Sequence, residues 1–137
     1  MTEILAFNKW SCQGIKVADP GLIDYITVKP TIVPRTGARY AGQRFHKSKV
    51  FIVERLMNKL MIPGRATTKK HKVSSGQCTG KALTNYDVVF KTLLIIEEKL
   101  KKNPIEVLVK AIENAAPREE IITIEYGGAR YPKAVEC

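Results

Sequence analysis

The chain is poor in the residues that most catalytic sites and disulfide scaffolds require. It has two histidines, and its carboxylates form no cluster, so acid–base catalysis has few groups to work with. Arg118-Glu119-Glu120 reads as a solvated turn after a helix rather than a paired-carboxylate site. The three cysteines, Cys12, Cys78 and Cys137, are an odd count at wide spacing, which fits free thiols in a reducing cytosol and not a disulfide framework. A zinc site from Cys12, Cys78, His46 and His71 needs four remote segments to converge without one short ligand pair. No metal and no other cofactor is expected. Gly76-Gln77-Cys78-Thr79-Gly80-Lys81 lacks the preceding strand, the glycine spacing and the following Ser or Thr of a phosphate-binding loop. Apolar runs such as Leu93 to Ile96 are too short to cross a bilayer. The amino terminus carries Glu3 and no basic start before an apolar stretch, unlike a secretory signal. A cytoplasmic protein without a membrane partner is expected.

Acid is also missing where it matters most. From Tyr25 to Tyr86 thirteen Lys and Arg residues face Glu54 alone, a surplus of twelve positive charges, while the segments on either side are each close to neutral. A protein kept soluble by charge mixes its signs. Like charges concentrated in this way repel one another, and a polyanion relieves that repulsion. The block lacks the apolar stripe of a membrane-surface helix, so nucleic acid is the expected partner. At 137 residues and 45% hydrophobic content, the chain is one domain's worth with enough apolar side chains for a core.

Residues 1–47 read as an extended, basic amino-terminal arm. Asp24 to Lys29 alternates weakly like a strand, but Pro20, Pro30 and Pro34 forbid a long, centrally paired one. Trp10 is a lone anchor for this arm. Residues 48–137 read as a helical domain. Ser48 caps a first helix to about Met61, with Val50, Val53, Met57 and Leu60 on one face. A second helix spans roughly Thr84 to Lys102, striped by Val89, Leu93, Ile96 and Leu100, with Lys99, Lys101 and Lys102 at the negative end of its dipole. The third start is the clearest. Asn103 caps, Pro104 takes the first helical position, Glu106 reaches back to the cap, and Glu106 and Lys110 pair on the outer face. Ala116-Pro117 closes this helix, and the three apolar stripes should pack on one another.

A two-stranded β-hairpin follows at 121–136. Ile121 to Tyr126 is β-branched, Gly127-Gly128 supplies a positive-φ turn, and Tyr131 to Val135 returns with Pro132 removing one ladder donor. Such a ribbon is marginal alone, so it either packs on the helices or projects toward a partner. The fold class is therefore mainly α, a helical bundle with a protruding hairpin and a basic arm. Three helices make a thin bundle, and its completion is expected beyond Cys137.

Two stretches of the basic block carry distinct chemistry. In Arg35, Arg39, Arg44, His46, Lys47 and Lys49, guanidinium groups alternate with Tyr40 and Phe45. Arginine forks bind phosphate bidentately, and aromatic faces stack on unpaired bases, which suits folded RNA better than plain duplex. Phe45 is expected to anchor the arm as a satellite core residue; Tyr40 is open to either role. The polar connector from Arg65 to Lys81 offers Lys69, Lys70, His71 and Lys72 as phosphate donors, with Thr67, Thr68, Ser74 and Ser75 adding hydroxyls. Its bland alternative is a solvated loop. The ribbon tip, Gly127, Gly128, Arg130 and Tyr131, lets backbone approach a partner closely, or is an ordinary turn that needs glycine anyway.

Three stretches point further: Arg55 to Met61, Asn103 to Arg118 with its Asn-Pro-Ile-Glu start, and Tyr126-Gly127-Gly128-Ala129-Arg130-Tyr131-Pro132. With these the sequence resembles the universal small-ribosomal-subunit protein seven family in its archaeal and eukaryotic-cytosolic form. The resemblance covers nearly all the chain. It implies a structural, non-enzymatic protein that binds the 3′ head domain of small-subunit ribosomal RNA, nucleates assembly of the head, and touches neighbouring small-subunit proteins. It also implies a position near the exit-site transfer RNA and the messenger path, with Gly127, Gly128, Arg130 and Tyr131 on a hairpin pointing there. Lys47, Lys49, Arg55 and Lys59 fall on the basic side of the first helix, which faces ribosomal RNA, and Arg35, Arg39 and Arg44 fall on the arm. The basic insertion from Arg65 to Thr79 and the long amino-terminal arm resemble the archaeal branch rather than the bacterial one. Family members continue past the hairpin into further helices, which this chain lacks. The alternatives are a non-ribosomal RNA-binding regulator and an RNA-processing enzyme, the latter requiring a metal- or histidine-dependent activity.

Overall fold

A computed structural model describes residues 3–37, 39–62, 65–67, 72–74 and 79–136, with the side chains of 65–67 and 72–74 outside the description. Three α-helices, α1 (Ile52–Leu60), α2 (Ala82–Leu100) and α3 (Pro104–Ala115), form the frame. Two antiparallel hairpins accompany them: β1 (Arg65–Thr67) with β2 (Lys72–Ser74), and β3 (Glu119–Tyr126) with β4 (Ala129–Glu136). The fold class is the expected one. Helix α2 packs on both α1 and α3.

Each helix buries a stripe: Val53 and Met57 from α1, Val89 and Leu93 from α2, Ile105 and Val109 from α3. The amino-terminal segment completes the core with Ala6, Trp10 and Ile26. Phe7, Trp10, Tyr86 and Phe90 make an aromatic cluster with centroid separations of 4.8 to 5.8 Å. Side chains near α3 hold the same segment by polar bonds. The Asn103 amide donates to the Ser11 carbonyl (2.6 Å), and a Glu113 carboxylate oxygen accepts from Ala18 N–H (2.6 Å). Lys9 donates to Glu97 at 2.5 Å, and this bond foremost holds the Glu97 carboxyl below its ordinary range. The nearby Trp10 indole N–H also favours the carboxylate, although it is buried without a hydrogen-bond partner of its own.

Helix boundaries differ from expectation where tertiary contacts intervene. Ser48 does not cap α1; it lies inside a 3-10 helix at His46–Lys49, and its carbonyl accepts from the Thr27 hydroxyl (2.5 Å). Val50 is extended, and Phe51 is buried while bridging in parallel to Thr27, so α1 starts only at Ile52. That isolated bridge is all the pairing found in the Asp24–Lys29 stretch read as a weak strand. Leu60, placed on the apolar face by spacing, is exposed. Helix α2 starts two residues early and ends at Leu100, where Lys101 takes a left-handed conformation. Helix α3 starts as expected: Asn103 Oδ1 accepts from Ile105 N–H at 3.0 Å and Pro104 follows. Glu106 forms neither the return bond to the cap nor an ion pair with Lys110 among the described residues.

The second hairpin projects. All sixteen residues of β3 and β4 are exposed, and their packing is essentially with each other. Gly127 (φ 59°) and Gly128 (φ 80°) form the two-residue turn, in which both central positions need positive φ. Pro132 stands opposite Thr123 in an otherwise continuous register from Glu119–Glu136 to Tyr126–Ala129. At its base Arg118 meets Asp19 at 3.5 Å.

Candidate nucleic-acid interface

The one acid of the basic block is not on its surface. Glu54 is 3% exposed on α1, and its carboxylate accepts from both the backbone N–H (2.8 Å) and the hydroxyl (2.9 Å) of Thr36. Burying a carboxylate is costly unless hydrogen bonds replace its water, and Thr36 supplies two. This clamp fixes the middle of the arm against α1. It also withdraws the only negative charge, so what the block shows to solvent is cationic. Sequence reasoning counted Glu54 but missed this role; a lone acid among thirteen bases was the available signal.

Around that clamp, Arg35, Arg39, Arg44, Lys47, Lys49, Lys59 and Lys81 are exposed, and His46 and Arg55 are half-buried. Arg44, His46, Lys47 and Lys49 come together on and beside the 3-10 helix. Arg55 has a structural bond as well, since its Nη1 donates to the Tyr25 carbonyl at 2.6 Å. The Tyr40 and His46 rings stack with centroids 4.1 Å apart, and the Arg44 guanidinium lies 4.9 Å from the Phe45 ring centroid.

Phe45 corrects an expectation. It is no core anchor: it is 57% exposed and left-handed at φ 60°. The aromatic positions of the core are taken by Phe7, Trp10, Phe51 and Phe90, and the turn entering the 3-10 helix directs Phe45 outward.

Two short pieces of the connector after α1 are paired strands. Arg65 pairs with Ser74, Ala66 with Val73 and Thr67 with Lys72 in a short antiparallel ladder. Arg65 and Lys72 therefore sit on strands, with side chains outside the described set. Lys69, Lys70 and His71 lie outside the described residues, as do Thr68, Ser75 and Gly76 to Cys78.

The hairpin tip is separate from these cations. Gly127, Gly128, Arg130 and Tyr131 are all exposed, and Arg130 stands 4.0 Å from Glu125 across the ladder. Strands β3 and β4 carry four acids, Glu119, Glu120, Glu125 and Glu136, against Arg130 and Lys133. Charge does not mark this element as a phosphate binder.

Other chemistry finds little support among the described residues. No three His, Cys, Asp or Glu side chains converge as a metal set, and no helix is long and apolar enough to cross a membrane. A cleft of about 810 Å³ runs along the amino-terminal segment and is lined largely by aliphatic groups such as Ile4, Ile15, Val17 and Val28. Burial pushes the Cys12 thiol in its wall up from its ordinary value, which keeps it protonated rather than nucleophilic.

The family model for ribosomal protein S7p/S5e matches residues 22–137, which include the two hairpins and three helices of the described residues and the basic residues of the arm from Lys29 onward. The chain belongs to the ribosomal protein S7p/S5e family. It is 53% identical over 131 residues to the small ribosomal subunit protein uS7 of Nanoarchaeum equitans, a match that covers 96% of this chain and 66% of that protein. The uS7 protein of Archaeoglobus fulgidus is 45% identical over 134 residues, covering 98% of this chain and 63% of the relative. The chain thus spans just under two thirds of the length of these curated relatives. In this S7p/S5e chain the family match begins after Trp10, yet the alignments to both relatives extend over nearly all of the core-forming amino-terminal segment.

Proposed function

We propose that this chain is a structural component of the small ribosomal subunit and a primary ribosomal-RNA-binding protein. It binds the 3′ head domain of small-subunit ribosomal RNA, nucleates assembly of the head, contacts neighbouring small-subunit proteins and works on the ribosome in the cytoplasm without catalytic turnover. The observation that carries this reading is the burial of Glu54, which leaves the stretch from Lys29 through the 3-10 helix to the outer side of α1 without an acid on its surface. Arg35, Arg39, Arg44, His46, Lys47, Lys49, Arg55, Lys59 and Lys81 supply the phosphate contacts, joined by Arg65, Lys69, Lys70 and Lys72 of the insertion. The hairpin has a different task. Gly127, Gly128, Arg130 and Tyr131 at its tip reach toward the exit-site transfer RNA and messenger path, where small residues permit close backbone approach.

The test is binding to a transcript of the 3′ head domain beside a shuffled RNA of equal length, across a salt series. Each phosphate contact contributes a slope of roughly −0.7 to −0.9 in log affinity against log salt. The proposal requires the head-domain transcript to bind tighter by orders of magnitude, with the preference persisting as salt rises. Equal affinities that fall together would sink it and leave only non-specific polyanion binding.

A further inference from the structure

Beside the 3-10 helix lies a small cleft of about 340 Å³, lined by Asp24, Tyr25, Thr27, Phe45, Ser48 and Lys49. We infer that this cleft receives a single unpaired guanine base of the bound RNA, stacked against Phe45 and Tyr25 and hydrogen-bonded by Asp24. The inference rests on the RNA-binding reading above and deepens it, because it separates one base-specific pocket from the phosphate contacts around it.

The aromatic walls come first. Phe45 is 57% exposed and Tyr25 51% exposed, and neither ring belongs to the core. Phe45 also holds φ 60°, a conformation unfavourable for a bulky side chain, so the chain tolerates local strain to present this ring to solvent. Arg44 lies over the ring at 4.9 Å, a cation–π contact that braces it. Bases stack on exposed aromatic faces of this kind only when they are unpaired.

The cleft is built before any ligand arrives. The Thr27 hydroxyl donates to the Ser48 carbonyl (2.5 Å), Ile52 N–H donates to the Thr27 carbonyl (3.0 Å), and Arg55 donates to the Tyr25 carbonyl (2.6 Å). These three bonds tie the segment bearing Tyr25 to the segment bearing Phe45, so binding need not order the walls.

Charge and hydrogen bonding then select the base. Lys49 lines the cleft with Arg44, His46 and Lys47 nearby in sequence, so a phosphate at its rim is well received. Asp24 is the exception: a carboxylate inside a cationic surface, with no hydrogen bond or ion pair of its own among the described residues. An ionised carboxylate only accepts. It fits the base edge that offers two adjacent donors, and guanine offers N1–H beside N2–H. Adenine, cytosine and uracil each place an acceptor next to a donor on that edge and meet repulsion.

The experiment uses the full chain, the 3′ head-domain transcript, and kethoxal, which modifies unpaired guanines at N1 and N2. Phe45→Gly removes the ring and relieves the positive φ, so it should melt no lower than the parent protein. It should bind the transcript about tenfold more weakly, the loss of roughly one stacked base, with an unchanged salt slope. The parent should protect one unpaired guanine from kethoxal, and both Phe45→Gly and Asp24→Asn should lose that protection. Phe45→Leu, which keeps a Cβ and apolar bulk, should share the affinity loss. If the parent prefers the transcript but Phe45→Gly binds within twofold and leaves the footprint intact, the cleft proposal is overturned while the RNA-binding reading stands. If the parent shows no preference for the transcript over shuffled RNA, the reading itself falls, and the cleft with it.

Discussion

The arm around Thr36 and the β3–β4 hairpin both present exposed side chains, yet they are held in opposite ways. The arm has little regular structure, and tertiary bonds fix it: Glu54 grips Thr36, Thr27 grips Ser48, and Arg55 grips the Tyr25 carbonyl. The hairpin has complete local structure and almost no tertiary support. Its register is continuous over eight pairs, yet Ile121 (74% exposed) and Tyr126 (81% exposed) remain in solvent. Their charges differ as well. Around Thr36 the arm presents only cations, with the neighbouring acid Glu54 of α1 turned inward, whereas the hairpin carries more acids than bases. Exposure alone therefore does not identify a phosphate-binding surface; what matters is which charges folding leaves facing water.

The comparison breaks most visibly in stability. Trp10→Ala, at the core end of the arm segment, should cost about 3–5 kcal/mol in urea unfolding, because its ring packs on Phe7 and Phe90. Excising residues 119–136 should change the same transition by no more than about 0.5 kcal/mol, since the hairpin lends the core no side chain. A large loss on excision would mean that the hairpin is part of the folding unit.

RNA binding gives the next contrast. Replacing Arg44, Lys47 and Lys49 together by Gln should make the salt slope shallower by roughly 2 to 3, and affinity at moderate salt should fall about a hundredfold. Arg130→Gln at the hairpin tip should shift the slope by at most about one. The reverse ranking would move the interface to the hairpin.

The Glu54 clamp is a smaller lever. Glu54→Gln weakens two charge-assisted bonds to neutral ones, at about 1 kcal/mol. It should also speed trypsin cleavage after Arg35 and Arg39, because Thr36 between them loses its anchor. Unchanged cleavage would show that other contacts hold the arm.

The smallest effect concerns Lys9 and Glu97. The folded state holds the Glu97 carboxyl below its ordinary range, so its stabilisation is present above the unfolded carboxylate range and is lost as pH falls through the lowered folded value. Lys9→Gln should therefore be slightly less stable than the parent at neutral pH. That difference should vanish in acid, as thermal melts at several pH values will show.

Legibility in the sequence followed locality. The α3 start needed only Asn103 and Pro104, and the turn at Gly127-Gly128 needed only positive φ within a β-branched frame, so short patterns sufficed. The start of α1 was misplaced because Phe51 answers to Thr27, twenty-four residues earlier, rather than to its neighbours. Phe45 was misjudged for a related reason: hydrophobicity suggests a core, but the core's aromatic positions were already occupied. Of the candidate site, the cations were readable as a count and the aromatics as an interleaved pattern. Their arrangement about a buried acid was not.

Composition and spacing by themselves determined that this is a mainly helical, strongly basic chain with a glycine-turned hairpin, because charge surplus, helical stripes and turn residues act over a few positions. Tertiary structure alone decided that Glu54 faces inward, that Ala6, Trp10 and Ile26 complete the core, and that Phe45 and Tyr25 flank one cleft. Those outcomes depend on contacts between segments eighteen to ninety-five residues apart, such as Thr36 with Glu54 and Ala18 with Glu113, and no local pattern encodes which distant partner a side chain will meet.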